Sequence, residues 1–519
     1  MDFVNRNFPI PTSTTVVGSS EELFIDKDGH LEFALNDPEN PKNYSFGRKC
    51  YITTIAISLV MNATFSSSAP SGSFKGVSDD LHVSAKAAGL VTTLFLLGYC
   101  AGPLSWAPLS EFYGRRWIFY VSFTIYLAIG FLCASTPNFA GLLVGRFLTG
   151  TAVSAALTNA PGILADIWGP VERGNAMILF ATMTFAGPAL GPVVSGFVQL
   201  KETWRWTFYI LLWMAGVTEL LLVTLPETLP MMVLRNKACR LRKIPGNETV
   251  KAPIETSDRS LGGIFTVALT RPWRLLIDPI NFFVSIYYAV VYTLLYMLFS
   301  TYPHCLPAEA WLERRLIGAC LGGLVLFINS QVKQKMFTGA RKSAPEDRLP
   351  GAMVGGVMFA VTIFWFAWTA EYNSVHWAVP TVTGTFLATS ILLIFVVFIN
   401  YIIDSYLMYA ASAVAANTVL RSACAAASPL FTQYMFDVLG VGGVGSLIGG
   451  IGVLLIPIPF VFYCYGAVIR ARSKFTPTDE VPRPPVDEEK AISGRSASQT
   501  SGNEGEPVDN NTGEAVNCP

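Results

Sequence analysis

Charged side chains are scarce in this chain. Only 14% of its 519 residues are Asp, Glu, Lys or Arg, whereas 52% are hydrophobic. Soluble globular proteins carry about a quarter charged residues, so the composition argues against an ordinary soluble protein. The formal net charge is zero, and without an overall basic field no nucleic-acid partner is expected.

Motifs for metal, nucleotide and hydrolytic chemistry are also missing. The chain has four histidines, and its nine cysteines include no C-x-x-C pair, so neither a zinc site nor a disulfide framework is indicated. It contains no G-x-x-x-x-G-K-[ST], G-x-S-x-G or H-E-x-x-H segment. We therefore expect no enzymatic activity, no cofactor and no metal. Any active transport would draw on an ion gradient rather than on ATP.

Long apolar runs, by contrast, follow one another through most of the sequence. Crossing a bilayer takes about 20 mostly apolar residues, and runs this long are helices rather than alternating barrel strands. The sequence thus predicts an all-α membrane protein with twelve transmembrane helices in two bundles of six. The spans are predicted near 50–70, 87–107, 117–136, 141–165, 174–198, 205–225, 275–299, 312–330, 351–370, 378–401, 411–436 and 444–467.

Polar segments flank and divide the two sets of spans. The last stretch is rich in Pro, Ser, Glu and Asn, a composition typical of disorder. The predicted organisation is an N-terminal tail (1–48), a first six-helix bundle (49–226), a central linker (227–272), a second bundle (273–470) and a disordered C-terminal tail (471–519).

Lys and Arg residues predict the orientation in the membrane. They cluster in the loop between spans two and three, in the central linker, between spans eight and nine, and after span twelve. With an even number of spans, all of these segments lie on the same side as both termini, which the positive-inside rule makes cytoplasmic. Glycosylation patterns at Asn43, Asn247 and Asn510 would then face the cytoplasm, and that at Asn62 lies within a span, so no glycosylation is expected.

The loop between spans two and three carries a recognisable pattern, Ala107-Pro-Leu-Ser-Glu-Phe-Tyr-Gly-Arg-Arg116. It resembles the signature loop Gly-x-x-x-Asp-Arg-x-Gly-Arg-Arg of the major facilitator superfamily, with Ala107, Glu111 and Phe112 as departures. The resemblance implies a gating loop that latches one conformation through a charge relay. Its members would be Glu111, Gly114, Arg115 and Arg116, with Asp166 at the end of span four.

Span five contains a run of glycine and proline that resembles the antiporter signature of proton-coupled drug exporters. Its residues are Gly187, Pro188, Gly191, Pro192 and Gly196. Gly187 and Gly191 share one helical face, where small residues permit close helix approach. The prolines remove backbone hydrogen bonds and favour bending, which suits a helix at a rocking interface.

Further segments, spread in order over residues 35–474, are similar to the fungal drug:proton antiporter family with twelve spans. That branch contains exporters of drugs, toxins, pigments and polyamines. The resemblance implies a proton-coupled exporter that works by alternating access, as a monomer, in the plasma membrane or, less favoured, the vacuolar membrane. The segments are Leu35–Tyr44, Arg146–Gly150, Leu164–Trp168, Trp204–Trp206, Leu225–Thr228, Asn400–Tyr406 and Ala415–Ser422.

Three ionisable residues within the spans are functional candidates, because a charge in the membrane is costly unless it is paired or hydrated. Arg146 and Glu219 are candidates for proton coupling, and the family resemblance supports Arg146. The alternative for Arg146 is a structural hydrogen-bond anchor, and Glu219 could instead pair with a neighbour or reach the cytoplasmic interface. Arg421 in span eleven, with Asn417 one turn before it, is either a substrate contact or a tie between helices.

Two helical stripes of polar or aromatic residues indicate faces turned towards a cavity or a neighbouring helix. Span one carries Thr54, Ser58, Asn62 and Ser66 at intervals of four, and span seven carries Asn281, Ser285, Tyr288, Tyr292 and Tyr296. Tyrosines on such a face can stack on planar ligands, although helix packing explains the same pattern. The candidates for a substrate cavity are Asn62, Tyr288, Tyr292, Tyr296, Asn417 and Arg421.

The leading functional hypothesis is export of small planar or amphipathic organic molecules, either secondary metabolites and toxins or drugs, in exchange for protons. One alternative is a specific transporter of a polyamine, organic acid or nutrient. The scarcity of acidic residues in mid-span disfavours a polyamine. A non-transporting receptor or enzyme is a different class, which the Gly-Arg-Arg loop and the span-five pattern disfavour. The expected partners are a small-molecule substrate, protons and lipid.

Overall fold

The computed structural model describes residues 31–475 except 35, 170–171, 244–249, 257–260, 306–344, 373–374, 376–377, 407–408 and 474, together with residues 14–15 and 23–25. The predicted eighth span, the tail beyond residue 475 and the patterns at Asn247 and Asn510 lie outside these residues. The helices are α1 Phe46–Ser68, α2 Phe74–Asp80, α3 Ala85–Ala88, α4 Leu90–Tyr113, α5 Arg115–Ser135, α6 Phe139–Ile167, α7 Arg173–Lys201, α8 Arg205–Leu222, α9 Pro230–Leu241, α10 Pro253–Thr256, α11 Leu261–Leu276, α12 Pro279–Cys305, α13 Pro350–Glu371, α14 Ala378–Tyr406, α15 Ala410–Leu455 and α16 Pro457–Arg472.

The described residues confirm the predicted helical membrane fold. They contain nine segments that are long and apolar enough to cross a bilayer. One of these, Ser412–Arg472, holds both of the last two predicted spans, which separate at Gly440, where φ is 68°. Helix α8 coincides with the predicted sixth span. Each predicted span except the eighth therefore has a helix in the described part of the chain.

The described residues of the predicted N-terminal tail include regular secondary structure. Three short strands, β1 Thr14–Thr15, β2 Leu23–Ile25 and β3 Leu31–Glu32, form an antiparallel sheet in that order.

The turn after these strands is attached to α9 by two ion pairs. Lys237 Nζ lies 2.7 Å from Asp37 Oδ2, and Arg240 lies 2.5 Å from Glu39. This contact joins the N-terminal segment to the segment between the two sets of spans.

The spanning helices form two groups, α1 to α8 and α12 to α16. Small residues allow close packing within the first group. Helix α4 packs along α6, and α1 packs along α7. A side chain at Gly150 of α6 would overlap the backbone carbonyl of Phe95 in α4. The absence of a Cβ thus permits direct contact between helix backbones.

Two pairs of helices make the most extensive contacts between the two groups. Helix α4 packs on α15, and α7 packs on α14. The largest buried apolar cluster includes residues from both groups. Large apolar side chains outside it, such as Trp213, Val217 and Leu220 on α8, are exposed, as expected of a surface that faces lipid tails.

Candidate transport cavity and gating network

A small cavity lies where the two groups of helices meet. Its wall residues come from the middle of α7, α12, α14 and α15, which places the cavity near half-depth in the bundle. Most of the wall is apolar or aromatic, and one residue is charged. The wall residues are Phe185, Tyr288, Val291, Tyr292, Ile391, Ile394, Phe395 and Arg421.

Arg421 is the charged residue of this wall. Its side chain is buried, with 5% of the residue exposed, and its guanidinium carbon lies 5.0 Å from the ring centre of Tyr292 and 5.2 Å from that of Phe395. Arginine over an aromatic face is stabilised by the negative face of the ring. No acceptor among the described residues takes a hydrogen bond from Nε of Arg421.

The three tyrosines of the predicted α12 stripe differ in their position relative to the cavity. Tyr288 and Tyr292 line the cavity, and the ring of Tyr288 stacks on Phe395 with centroids 5.0 Å apart. The Tyr288 hydroxyl donates to the backbone carbonyl of Phe395 over 2.5 Å. Tyr296 instead packs edge-on against Tyr292 and shares a hydrogen bond of 2.6 Å with Ser67 of α1. Tyr296 therefore joins the two groups of helices beside the cavity.

Two predicted cavity residues lie in helix contacts outside this wall. Asn62 Nδ2 donates to Thr218 Oγ1 of α8 over 2.7 Å. Asn417 Nδ2 donates to Ser285 Oγ of α12 over 3.3 Å. Both side chains tie neighbouring helices together, which is the alternative that the sequence left open for each of them.

Several wall residues had no distinguishing sequence signal. Phe185 belongs to the glycine-rich helix α7, whereas Ile391, Ile394 and Phe395 lie in the most apolar of the nine spans in the described part of the chain. A span that is apolar all round shows no periodicity that separates its cavity face from its lipid face.

Arg146 is buried at the junction of α1, α4 and α6, away from the cavity wall. Its Nε donates to the carbonyl of Val91 (3.2 Å), and its two terminal nitrogens contact the Ser66 carbonyl (2.7 Å) and Ser66 Oγ (3.4 Å). Its guanidinium carbon lies 4.0 Å from the ring centre of Phe95. In this conformation the positive charge is held by backbone carbonyls and a ring rather than by a carboxylate.

Glu219 lies between α8 and α5 and does not line the cavity. Thr124 Oγ1 donates to Glu219 Oε1 over 2.9 Å. The second oxygen, Oε2, is buried and has no hydrogen-bond partner within the described residues.

The predicted gating loop is a corner between two helices rather than an open loop. Gly114 ends α4 and begins α5, and its φ of 95° is a backbone conformation that glycine tolerates best. Next to it, Arg115 Nε forms an ion pair with Asp166 Oδ2 of α6 at 3.2 Å. This pair joins the two residues that the resemblance had placed in one charge relay.

Glu227 is the main acceptor at this corner. One carboxylate oxygen accepts from the amide of Arg115 (3.0 Å) and also from the amides of Thr228 and Leu229. The other oxygen accepts from the amide of Arg116 at 3.2 Å. A Cβ at Gly114 would lie only 2.5 Å from this carboxylate.

Glu227 had no predicted role, although the segment Leu225–Thr228 belongs to the family resemblance. The residue lies between a span and the linker and is part of no periodic pattern. Glu111, the predicted acidic member of the relay, is exposed and has no ion pair within the described residues. In this conformation Glu227 holds the corner.

A second ion-pair network connects the two groups of helices at the end predicted to be cytoplasmic. Asp404, near the end of α14, lies 3.3 Å from Arg173 at the start of α7 and 2.8 Å from Arg348. One carboxylate thus binds a cation from each group.

Close contact between α7 and α1 depends on the glycines of the span-five motif. A Cβ at Gly187 would overlap Thr64 Oγ1, and a Cβ at Gly191 would overlap Ser68 Oγ. A Cβ at Gly196 would have open space, because no described atom outside the adjoining backbone of its own helix lies within 4 Å. Pro188 and Pro192 lie within α7. The motif therefore contains two glycines that are required for helix contact and one that is not.

Membrane-spanning helices of both groups surround a cavity near half-depth, an arrangement typical of secondary transporters. Residues 55–429 match the model of the Major Facilitator Superfamily. The chain belongs to this superfamily and is a multi-pass membrane transporter.

Relatives with named functions are found among fungal proteins. "Efflux pump FUB11" of Gibberella moniliformis is 37% identical over 86% of this chain and 77% of that protein. "Citrinin biosynthesis cluster MFS transporter mrr1" of Monascus ruber is 38% identical over 85% of this chain and 91% of that protein. Among solved structures, the xylose transporter XylE from E. coli has a TM-score of 0.58 at 17% identity, over 81% of this chain and 98% of that one.

Gly187→Ala should disturb the contact between α7 and α1, whereas Gly196→Ala should be tolerated. The added methyl group at position 187 meets the backbone amide of Phe65 at 2.8 Å, and overpacking of this kind costs about 1–3 kcal/mol. We expect a lower midpoint of thermal unfolding in detergent and a lower transport rate for Gly187→Ala only. Equal midpoints for the two variants would contradict the proposed contact.

Glu227→Gln should weaken the corner between α4 and α5 more than Glu111→Gln does. A lost charge-assisted hydrogen bond costs about 1.5–3 kcal/mol, whereas an exposed substitution usually changes stability by less than about 0.5 kcal/mol. Thermal unfolding and the initial transport rate of the two variants measure the difference. A larger effect of Glu111→Gln would show that the relay uses that residue instead.

Proposed function

We propose that the protein exports small organic molecules, either the cell's own secondary metabolites and toxins or drugs, in exchange for protons. The observation that carries this proposal is the aromatic cavity between the two groups of helices. The names of the relatives, an efflux pump and a transporter of a biosynthesis cluster, support the direction and the kind of cargo. From the family resemblance we place the protein in the plasma membrane as a monomer. The Lys and Arg distribution predicts that both termini are cytoplasmic.

Alternating access requires the two six-helix halves, residues 49–226 and 273–470, to rock about the cavity. The pair between Arg173 and Asp404 closes the cytoplasmic end and must break before cargo can enter from the cytoplasm. Helix α7 carries both Arg173 and the cavity residue Phe185, and its prolines at 188 and 192 favour bending. Bending of α7 would therefore change the gate and the cavity wall together.

Proton coupling is assigned to Arg146 and Glu219. Arg146 holds the end of α1 against the start of α4 through the carbonyls of Ser66 and Val91, so its bonds respond to a relative shift of these helices. Glu219 has a buried carboxyl oxygen without a donor among the described residues, which leaves a position for a proton. The gating loop and the span-five glycines would transmit the movement.

The test uses inside-out membrane vesicles with an acidic interior and a fluorescent planar organic probe. An exporter should accumulate the probe as protons leave the interior, and a protonophore should abolish accumulation. Accumulation that is the same with and without the gradient would contradict proton coupling. Failure to move any of a panel of planar probes in either direction would contradict transport of such molecules.

Arg146→Gln and Glu219→Gln should lose accumulation driven by the gradient while retaining exchange of labelled for unlabelled probe. Arg472→Gln is the control, because Arg472 is exposed at the end of α16. A folded Arg146→Gln variant, identified by an unchanged profile in size-exclusion chromatography, that still accumulates probe would show that the assignment of Arg146 is wrong. The same result for Glu219→Gln would reject Glu219 as the proton carrier.

A further inference from the structure

We propose that the cargo is an organic anion, a small planar aromatic compound whose carboxylate or similarly charged acidic group binds the guanidinium of Arg421. The inference rests on the proposed function, because it names the class of molecule that the cavity would export.

Arg146 and Arg421 are both buried in the described membrane-spanning helices, and they differ in the hydrogen-bond acceptors of their nitrogens. Arg146 directs Nε and both terminal nitrogens to acceptors on α1 and α4. Nε of Arg421 is buried and donates to no acceptor among the described residues, although only 5% of the residue is exposed. The nitrogens of Arg146 are thus satisfied by the protein, whereas Arg421 keeps a buried donor for another molecule.

The surroundings of Arg421 only partly compensate its charge. Burying an unpaired cation is costly, and the rings of Tyr292 and Phe395 offset part of this cost by cation–π attraction. No Asp or Glu lines the cavity within the described residues. An anionic ligand would supply the missing charge and accept hydrogen bonds from the planar guanidinium, which matches carboxylate geometry.

The remaining wall favours a flat aromatic body. Phe395 stacks on Tyr288, and Phe185 meets Phe395 edge-on with centroids 4.9 Å apart. Flat hydrophobic rings can pack against such surfaces in stacked or edge-on geometry.

The same features disfavour a cationic cargo such as a polyamine. A cation in this cavity would meet the like charge of Arg421 at short range in a setting of low dielectric constant, where repulsion is strong. The wall offers no carboxylate to offset that repulsion within the described residues.

The experiment measures binding of three matched probes to the full-length protein in lipid nanodiscs. The probes are 2-naphthoate, its neutral amide 2-naphthamide and the cation 2-naphthylmethylammonium. A hydrogen bond to a charged group is stronger than one between neutral groups, so the acid should bind at least about ten-fold more tightly than the amide. The ammonium compound should bind most weakly.

Variants distinguish the role of charge from that of shape. Arg421→Gln should remove the preference for acid over amide, and Arg421→Lys should retain part of it. Phe395→Leu should weaken acid and amide alike and leave their ratio unchanged. Arg472→Gln should behave as the unmodified protein does. If Arg421→Gln fails to fold, the ratio in the unmodified protein and in Arg421→Lys carries the test.

An acid that binds no more tightly than its amide, including one that does not bind, overturns the proposal. So does a folded Arg421→Gln variant that keeps the preference. These binding results are independent of transport. Selective binding of the acid in a protein that moves no probe under a pH gradient would support the anion site and reject the proposed export. Gradient-driven export without a preference for the acid would support the proposed export and overturn the anion site.

Discussion

Burying a guanidinium group among apolar helices costs free energy that only neighbouring polar or aromatic groups can offset, and the interior is organised around that cost. At Arg146, the carbonyls of Ser66 and Val91 and the ring of Phe95 provide the compensation. The arginine in turn satisfies the carbonyl of Ser66 in the last turn of α1, where carbonyls have no partner within their own helix. Arg146 thus fixes α1 and α4 relative to α6.

Close contact between helix backbones is what brings the cavity aromatics together. Because Gly187 and Gly191 lack a Cβ, α7 approaches α1 directly, and Phe185 lies two residues before Gly187 on the same helix. From there its ring reaches Phe395 of α14. A larger residue at either glycine would move α7 away from α1 and so displace the ring that forms one wall of the cavity. The span-five motif therefore shapes the site without lining it.

The features that depend on local pattern were predictable from the sequence, whereas those that depend on tertiary contacts were not. Runs of apolar residues marked the spans, and tyrosines at helical spacing marked Tyr288 and Tyr292. Pattern alone could not tell which neighbour a polar stripe faces, and Asn62 lies against α8. Phe395 looks like any lipid-facing phenylalanine, and only the packing of α14 turns it towards Arg421. Glu227 lies outside every span, yet the fold places its carboxylate against the backbone amides at the start of α5.

Helix α14 connects the proposed gate, the ion pair between Asp404 and Arg173, to the cavity. Phe395 lies beside Arg421, and Asp404, nine residues later, binds Arg173 and Arg348. At 1.5 Å per residue, the two positions are roughly 14 Å apart along the helix axis. Because a packed helix moves as a unit, a shift that separates Asp404 from Arg173 of α7 also moves Phe395 relative to Phe185 of α7. A ligand that prefers one position of Phe395 therefore has a differential affinity for the two positions of the gate, which is the condition for ligand binding to drive a conformational change.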